Sequence, residues 1–401
     1  METLIVSKAL CYFEKNDGYE IVNYISGKAI KVDFYIKKLL EECVTAKTIQ
    51  EIKAIMLKDN VSDSDSEKLL LFLCINKVLI PNDIDALYDL IKEDKSFFDF
   101  GFTDLCKIQR SSLTFLGIPF GFGNCIDSGC KNFPSHFRNV TNQFFLGSNS
   151  LSSLRTESIH TLFNKTNLLS MLNEGRITDL GNIFYCTGES CDLSYNKITN
   201  IISSISRKSC IPFVIGGDHS ITYSIIKGLC ESYTKFDIIH FDAHADYKQS
   251  SLLSFYDSIG LELLNHATVM NYCEKIDNVE KIIQLGVREY FDTTSKKIVS
   301  ISLDDMNYRN DKYLDLVNRN NAVYLSFDID YFDPIIAPGT ASKLINGGLY
   351  NETFVSLSEI LKNKKVIGID LVEINPRLDD CNRTSQLAMN LVLYLLGLIT
   401  I

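Results

Sequence analysis

The residues able to do chemistry in this 401-residue chain cluster in three short stretches. The first is Asp242-Ala243-His244-Ala245-Asp246, directly after the apolar run Phe236–Phe241. That run reads as a buried parallel strand, and residues two apart in an extended chain point the same way. Asp242, His244 and Asp246 are therefore candidates to converge on one cation or a pair of them. His240 is placed on the opposite face and given no role; nor are His136 and His160, in loops without partners. The second stretch is Gly216-Gly217-Asp218-His219-Ser220, after the strand candidate Pro212–Ile215. His219 is a further ligand candidate there, with Asp218 or Ser220 available to cap the next helix. The third is Asp328-Ile329-Asp330, after Ala322–Phe327, again two carboxylates expected on one side of an extended segment. Two histidines and four aspartates make a hard, oxygen-rich donor set. It suits two Mn²⁺ ions, with Ni²⁺ or Co²⁺ as other divalent candidates, better than a thiolate-held zinc. Four facing carboxylates repel one another unless cations lie between them, and a metal pair can bring a shared water to deprotonate near neutral pH.

The elements that must position these stretches follow from the pattern around them. From Leu113 onward, strand candidates recur at Leu113–Leu116, Pro212–Ile215, Phe236–Phe241, Lys281–Leu285, Ala322–Phe327 and Lys365–Ile369, with helical patterns such as Ser220–Tyr233 between them. Alternating β and α units imply a parallel sheet covered by helices on both faces. Ligands in such sheets sit beyond the carboxyl ends of the strands, where all three stretches fall. Residues 1–85 read differently. Residues 3–25 alternate like a hairpin turned at Asn16-Asp17-Gly18. A helix carries Ile36, Leu39, Leu40 and Cys43 on one face, and Thr48-Ile49-Gln50-Glu51 is a capping box for a second. Ser64-Asp65-Ser66-Glu67 offers another start before Leu69–Ile75, and Val78-Leu79-Ile80 is a short strand stopped by Pro81. The result is a small α+β unit of winged-helix type. Residues 86–112 are expected to be a connector to a catalytic domain at 113–401.

The three stretches, together with Asp333-Pro334, Ala337-Pro338-Gly339-Thr340, Gly347-Gly348-Leu349 and Asp370-Leu371-Val372-Glu373-Ile374-Asn375-Pro376, resemble the motifs of the ureohydrolase family, the arginases and agmatinases. The resemblance covers residues 113–401. It implies a three-layer α/β/α sandwich, a Mn²⁺ pair, and hydrolysis of a guanidino group to an amine and urea. By position, His219, Asp242, Asp246 and Asp328 are implied around one metal, with His244, Asp242, Asp328 and Asp330 around the second. Glu373 is implied as the carboxylate that pairs with the substrate guanidinium, and His266 as the active-site histidine that moves a proton to the leaving amine, a role Asp330 could share. Family members are often trimers or hexamers, so a homo-oligomer is one implied assembly. The distal loops depart from the family: Tyr247-Lys248-Gln249 follows the metal-binding stretch, the loop 249–265 is unusual, and Ala341-Ser342-Lys343 stands where Gly-Thr-Pro is familiar. Residues 1–85 loosely resemble the winged-helix domains that bind leader peptides in clusters making modified ribosomal peptides. The two resemblances together favour arginine side chains of a precursor peptide as substrate, converted to ornithine. The alternatives are a small free guanidino compound (agmatine, a guanidino acid, guanidine or arginine) and a non-catalytic binding protein on the same fold.

Composition narrows the surroundings. A net charge of −10 argues against nucleic-acid or anionic-membrane binding. Hydrophobic residues at 46% and charged ones at 22% suit a globular protein with a substantial core. The twelve cysteines are scattered, with no Cys-x-x-Cys pair, and read as buried free thiols in a reducing compartment. No signal peptide is apparent, and Leu387–Ile401 is too short and too interrupted for a bilayer span. A cytoplasmic location is expected.

Overall fold

A computed structural model of the chain describes residues 3–23, 28–82, 90–144, 165–185, 189–247, 264–308, 314 and 321–399. His160, most of the loop 249–265 and the end of the C-terminal apolar run lie outside the described residues. The chain divides into two compact units, Met1–Ile91 and Lys92–Ile401.

The first unit holds strands β1 (Thr3–Val6), β2 (Leu10–Lys15), β3 (Gly18–Asn23), β4 (Lys28–Val32), β5 (Lys47–Thr48), β6 (Leu79–Pro81) and β7 (Leu90–Ile91). Among the described residues its helices are Phe34–Glu42, Ile49–Lys58 and Asp63–Ile75. The expected turn joins β2 to β3, with Lys15 opposite Gly18. β1 is not part of that hairpin: it pairs antiparallel with β5 and β6, so the alternation over residues 3–25 belongs to two separate sheets. The Thr48 capping box is complete. The third helix starts earlier than expected because Ser62, not Ser64, accepts the Asp65 N–H as its cap. Leu4, Ile21, Leu40, Ile52, Met56 and Leu73 form the core.

The second unit is built on β8 (Leu113–Gly117), β9 (Ile177–Ile183), β10 (Ile211–Ile215), β11 (Phe236–Phe241), β12 (Val279–Leu285), β13 (Ile298–Ile301), β14 (Ala322–Asp328) and β15 (Val366–Val372). They lie side by side in the order β13-β12-β11-β14-β15-β10-β8-β9, every pair parallel. Alternate residues divide between two faces. Phe213, Ile215, Ile239, Phe241, Leu325, Phe327, Ile369 and Leu371 join one core with Phe133, Phe137, Phe354, Leu357 and the apolar side of the helix Arg383–Leu398. The intervening residues face the helices Cys191–Ser206, Ile221–Leu229 and Val269–Glu274, which pack on one another. This is the expected α/β/α sandwich. Phe97 and Phe98, in the stretch read as a connector, are fully buried in this unit's core. Cys43, Cys130, Cys210 and Cys273 are buried as expected, whereas Cys11, Cys125, Cys191 and Cys381 are exposed. Among the described residues no helix is long and apolar enough to cross a membrane.

One close approach sets where β10 delivers its motif. Past Ile215 the chain is clamped between the loop after β8 and the end of β15: Asp218 N donates to Phe120 O at 2.9 Å, and Glu373 N donates to Gly217 O at 2.8 Å. A Cβ on Gly217 would lie 1.7 Å from Phe120 O, so only glycine fits. Because the clash is with backbone, Gly217→Ala is expected to cost about 3 kcal/mol, the upper end for overpacking. A denaturant midpoint equal to wild type would refute this.

Candidate functional site

The carboxyl ends of β10, β11 and β14 bring all six ligand candidates together. His219 Nδ1 lies 3.2 Å from Asp242 Oδ2, 2.9 Å from Asp246 Oδ2 and 3.2 Å from Asp328 Oδ2. His244 Nδ1 lies 2.9 Å from Asp330 Oδ2 and 3.5 Å from Asp242 Oδ1. Two neighbouring clusters therefore share Asp242. Convergence is achieved by turns rather than by the strand alternation expected from sequence. The chain leaves β11 after Phe241, Asp242 Oδ1 accepts the His244 N–H at 2.6 Å, and Asp246 adopts φ +48°. Asp330 lies in the short 3-10 turn Ile329–Tyr331, whose first N–H groups are met by Asp328: its Oδ1 accepts the Asp330 N–H at 2.8 Å.

The placement of His240 on the opposite face is wrong. Residues two apart share a side, and His240 Nε2 lies 2.8 Å from Asp242 Oδ2. Gln284 Nε2 donates to His240 Nδ1 at 3.2 Å, so the His240 proton sits on Nε2 and is directed at Asp242. His240 thus positions a ligand candidate instead of offering a lone pair. It belongs to a buried polar row in register across four strands, Gln284–His240–Ser326–Asp370. Ser326 Oγ donates to Asp370 Oδ1 at 2.8 Å, so it must accept from His219 Nε2, 2.9 Å away. Asp370 is held in turn by the hydroxyls of Thr222 and Tyr324.

This relay tests whether the site suits a metal. With its Nε2 proton committed to Ser326, neutral His219 presents a bare Nδ1 to three carboxylate oxygens. That buried nitrogen makes no hydrogen bond. Four electron-rich atoms facing one point call for positive charge, a proton or a metal ion. The electrostatics agree. Burial disfavours charge on His219, yet contacts to Asp242, Asp246 and Asp328 hold its pKa well above the ordinary value. Burial raises Asp328, and the nearby Asp330 and Asp242 carboxylates raise it further. Burial and Asp242 push Asp330 up to about 7. Asp242 is held low because His240, His219 and His244 together outweigh its burial.

Glu373 and His266 form a second group beside the clusters. Glu373 follows β15 with φ +64°. Its Oε1 accepts the His219 N–H at 2.9 Å and its Oε2 accepts from Asn124 Nδ2 at 2.8 Å. His266 Nδ1 lies 3.4 Å from Glu373 Oε1, and its Nε2 lies 3.3 Å from Cys125 Sγ. Burial lowers the His266 pKa, but the Glu373 carboxylate more than offsets this and raises it to about 9. Asp218 does not cap the following helix. It accepts the Gly123 N–H at 2.8 Å and the Ser220 N–H at 3.0 Å, anchoring the loop that carries Asn124 and Cys125. His136, read as lacking a partner, lies 3.0 Å from Asn382 Oδ1. A cavity of about 360 Å³ opens onto His244, Asp246, Asp328, Asp330, His266 and Glu373, and its wall includes Cys125, Glu289 and Ala341-Ser342-Lys343. Asn124, Cys125 and Glu289 carry no motif of their own; only the fold brings them here.

A three-layer α/β/α protein with two imidazoles and four carboxylates gathered at its strand ends has the layout of a metal-dependent hydrolase. Residues 111–397 match the arginase family, and the chain belongs to that family. It is 29% identical over 313 residues to an agmatinase of Blochmanniella floridana, covering 74% of this chain and 93% of that one. It is 25% identical over 307 residues to the human mitochondrial guanidino acid hydrolase, covering 70% and 76%. The proclavaminate amidino hydrolase structure from Streptomyces clavuligerus superposes with a TM-score of 0.61 at 21% identity, covering 76% of this chain and 97% of that one.

The His266–Glu373 pair has a pH signature. A raised folded-state pKa stabilises the fold fully below the ordinary value near 6.5, and this contribution is lost as pH rises through about 9. In metal-free protein, the His266 ring protons are expected to titrate near pH 9 by NMR, and Glu373→Gln to bring the midpoint down toward 6.5. A wild-type midpoint at or below 6.5 would exclude the pair.

Proposed function

We propose that the chain hydrolyses the guanidino group of a small, free guanidino compound to an amine and urea, using two divalent metal ions, Mn²⁺ first among them. The observation that carries this reading is the bare His219 Nδ1 facing three carboxylate oxygens, beside a second imidazole–carboxylate cluster that shares Asp242. The relatives named agmatinase and guanidino acid hydrolase support the substrate class. They favour a small compound over the peptide arginine suggested by the resemblance of residues 1–85, and an intact set of ligand candidates weighs against a non-catalytic binding protein.

In this reading His219, Asp242, Asp246 and Asp328 hold one ion, and His244, Asp242, Asp328 and Asp330 the other. The pair supplies a water of lowered pKa and positive charge against the developing tetrahedral centre. Glu373 supplies the planar fork that a guanidinium recognises. Both of its oxygens are anchored, by His219 N–H and Asn124 Nδ2, so the carboxylate cannot swing away when substrate arrives. Oε2 keeps a lone pair for the substrate, whereas Oε1 also faces His266 Nδ1. The departing nitrogen leaves as an amine and must gain a proton. His266, whose pKa the Glu373 carboxylate raises, lines the cavity and can donate it, or Asp330 can.

Metal analysis after Mn²⁺ loading is expected to find two ions per chain, and Asp328→Ala to lose metal together with nearly all urea release. Full metal content and turnover in that variant would sink the ligand assignment. His266→Ala is expected to keep both ions while turnover falls by about 10²- to 10⁴-fold. Loss of metal there would make His266 structural. The substrate class is tested by offering agmatine, 4-guanidinobutyrate, arginine, guanidine and an arginine-containing peptide side by side. Urea from the peptide alone would overturn the small-molecule reading.

A further inference from the structure

The wall of the cavity carries a charge that the reaction does not use. Lys343 is exposed, borders the cavity, and has no ion-pair partner among the described residues. It is also the one lysine or arginine among the described residues lining that space. In the proposed reading every other carboxylate there except Glu289 has a cationic counterpart. Two divalent ions balance Asp242, Asp246, Asp328 and Asp330, and Glu373 faces the guanidinium. Glu289 is the competing wall charge, but its Oε1 is occupied by the Ala245 N–H at 2.8 Å, holding the turn that presents His244 and Asp246. Glu289 also borders a neighbouring cavity lined by Tyr247, Tyr290 and Phe291. Lys343 and Ser342 both line this cavity of about 360 Å³, where an ammonium and a hydroxyl provide donors and no negative charge for whatever extends from the guanidino group.

We infer that Lys343 selects substrates whose tail ends in a carboxylate, so that the enzyme acts on guanidino acids in preference to agmatine. The inference rests on the guanidino-hydrolase reading and adds to it the charge of the substrate's far end. A charge-assisted contact between ammonium and carboxylate discriminates against a cationic tail twice, by losing an attraction and by adding a repulsion.

The test compares 4-guanidinobutyrate with agmatine, which share the reacting group and differ in the sign of the tail. Binding is measured calorimetrically on metal-loaded protein in a His266→Ala background, where turnover is slow, and urea release is measured with His266 intact. The acid is expected to bind at least about tenfold more tightly than agmatine. Lys343→Ala should abolish that ratio, Lys343→Glu invert it, and Lys343→Arg keep most of it. Agmatine binding as tightly as the acid would overturn the inference and point to Glu289 as the tail-reading charge, and a preference for the acid that is unchanged in Lys343→Ala would overturn it as well. Preference for the acid with no urea from any compound would instead overturn the hydrolase reading while supporting the role of Lys343.

Discussion

Gathering four buried carboxylates and two imidazoles at the ends of β10, β11 and β14 is the constraint on which the rest of this structure depends. Asp242, Asp328 and Asp330 are almost wholly removed from water, and Asp246 nearly so. Each would lose several kcal/mol of hydration if left uncompensated. Part of the compensation is backbone: the N–H groups of Ala243, His244 and Asp330 all point at carboxylate oxygens of the cluster. Part is the polar row beneath it, in which Gln284, His240, Ser326 and Asp370 occupy matched positions on neighbouring strands. What remains is negative charge that neither supplies a partner for, and it is this remainder that makes the site a cation trap.

The polar row also explains why the sheet can afford its chemistry. Its members alternate with Phe241, Phe327 and Leu371, which lie in the apolar core on the other face. Each strand thus packs one face against oil while its other face carries a proton relay, and the strict period of two keeps the functions apart. The relay dictates tautomers: Gln284 settles His240, and Ser326 with Asp370 settles His219. A ligand nitrogen with a predetermined lone pair needs no rearrangement when a cation arrives, which is the structural meaning of preorganisation. Two of the residues that reach into the site carry backbone strain. Asp246 and Glu373 both adopt the left-handed region, at a cost of about 1–3 kcal/mol each. Each is held there by packed neighbours, Asp246 O accepting from Met270 N and Glu373 N donating to Gly217 O.

The ligand candidates were legible because their chemistry is local. Asp242-x-His244-x-Asp246 and Asp328-x-Asp330 each fall within five residues, directly after an apolar run that announces a strand. The strands at β11 and β14 were placed almost residue for residue on that signal. Convergence itself comes from the turns after Phe241 and Asp328, which aim the side chains where extended alternation does not. His240 lies one step of parity from its expected face, on the Asp242 side. The relay was illegible for a different reason: its four members come from four strands, and nothing local reveals which residues stand in register. A single polar residue in each of several apolar strands was the available trace. β9 carries no clear strand signal because Asp179 and Gly181 interrupt its apolar pattern, and β13 because it has only four residues.

The same division between strand ends and loops bears on how substrate choice can vary without disturbing the reaction. Asp328, Asp330 and Glu373 issue from central strands whose positions are set by the whole sheet, so substitutions there would propagate into the core. Ala341-Ser342-Lys343 belongs to a loop tethered separately: Gly339 N donates to Thr384 Oγ1 and Gly339 O accepts from Asn375 N, fixing the loop's base while Lys343 stays exposed. A side chain on such a loop can change size or sign without altering the relay or the ligand turns. The unfamiliar sequence after Thr340 is therefore the kind of change expected when the reacting group stays the same and the tail of the substrate differs. It places the question of which guanidino compound is used on the wall of the cavity, and the question of what is done to it on the strands beneath.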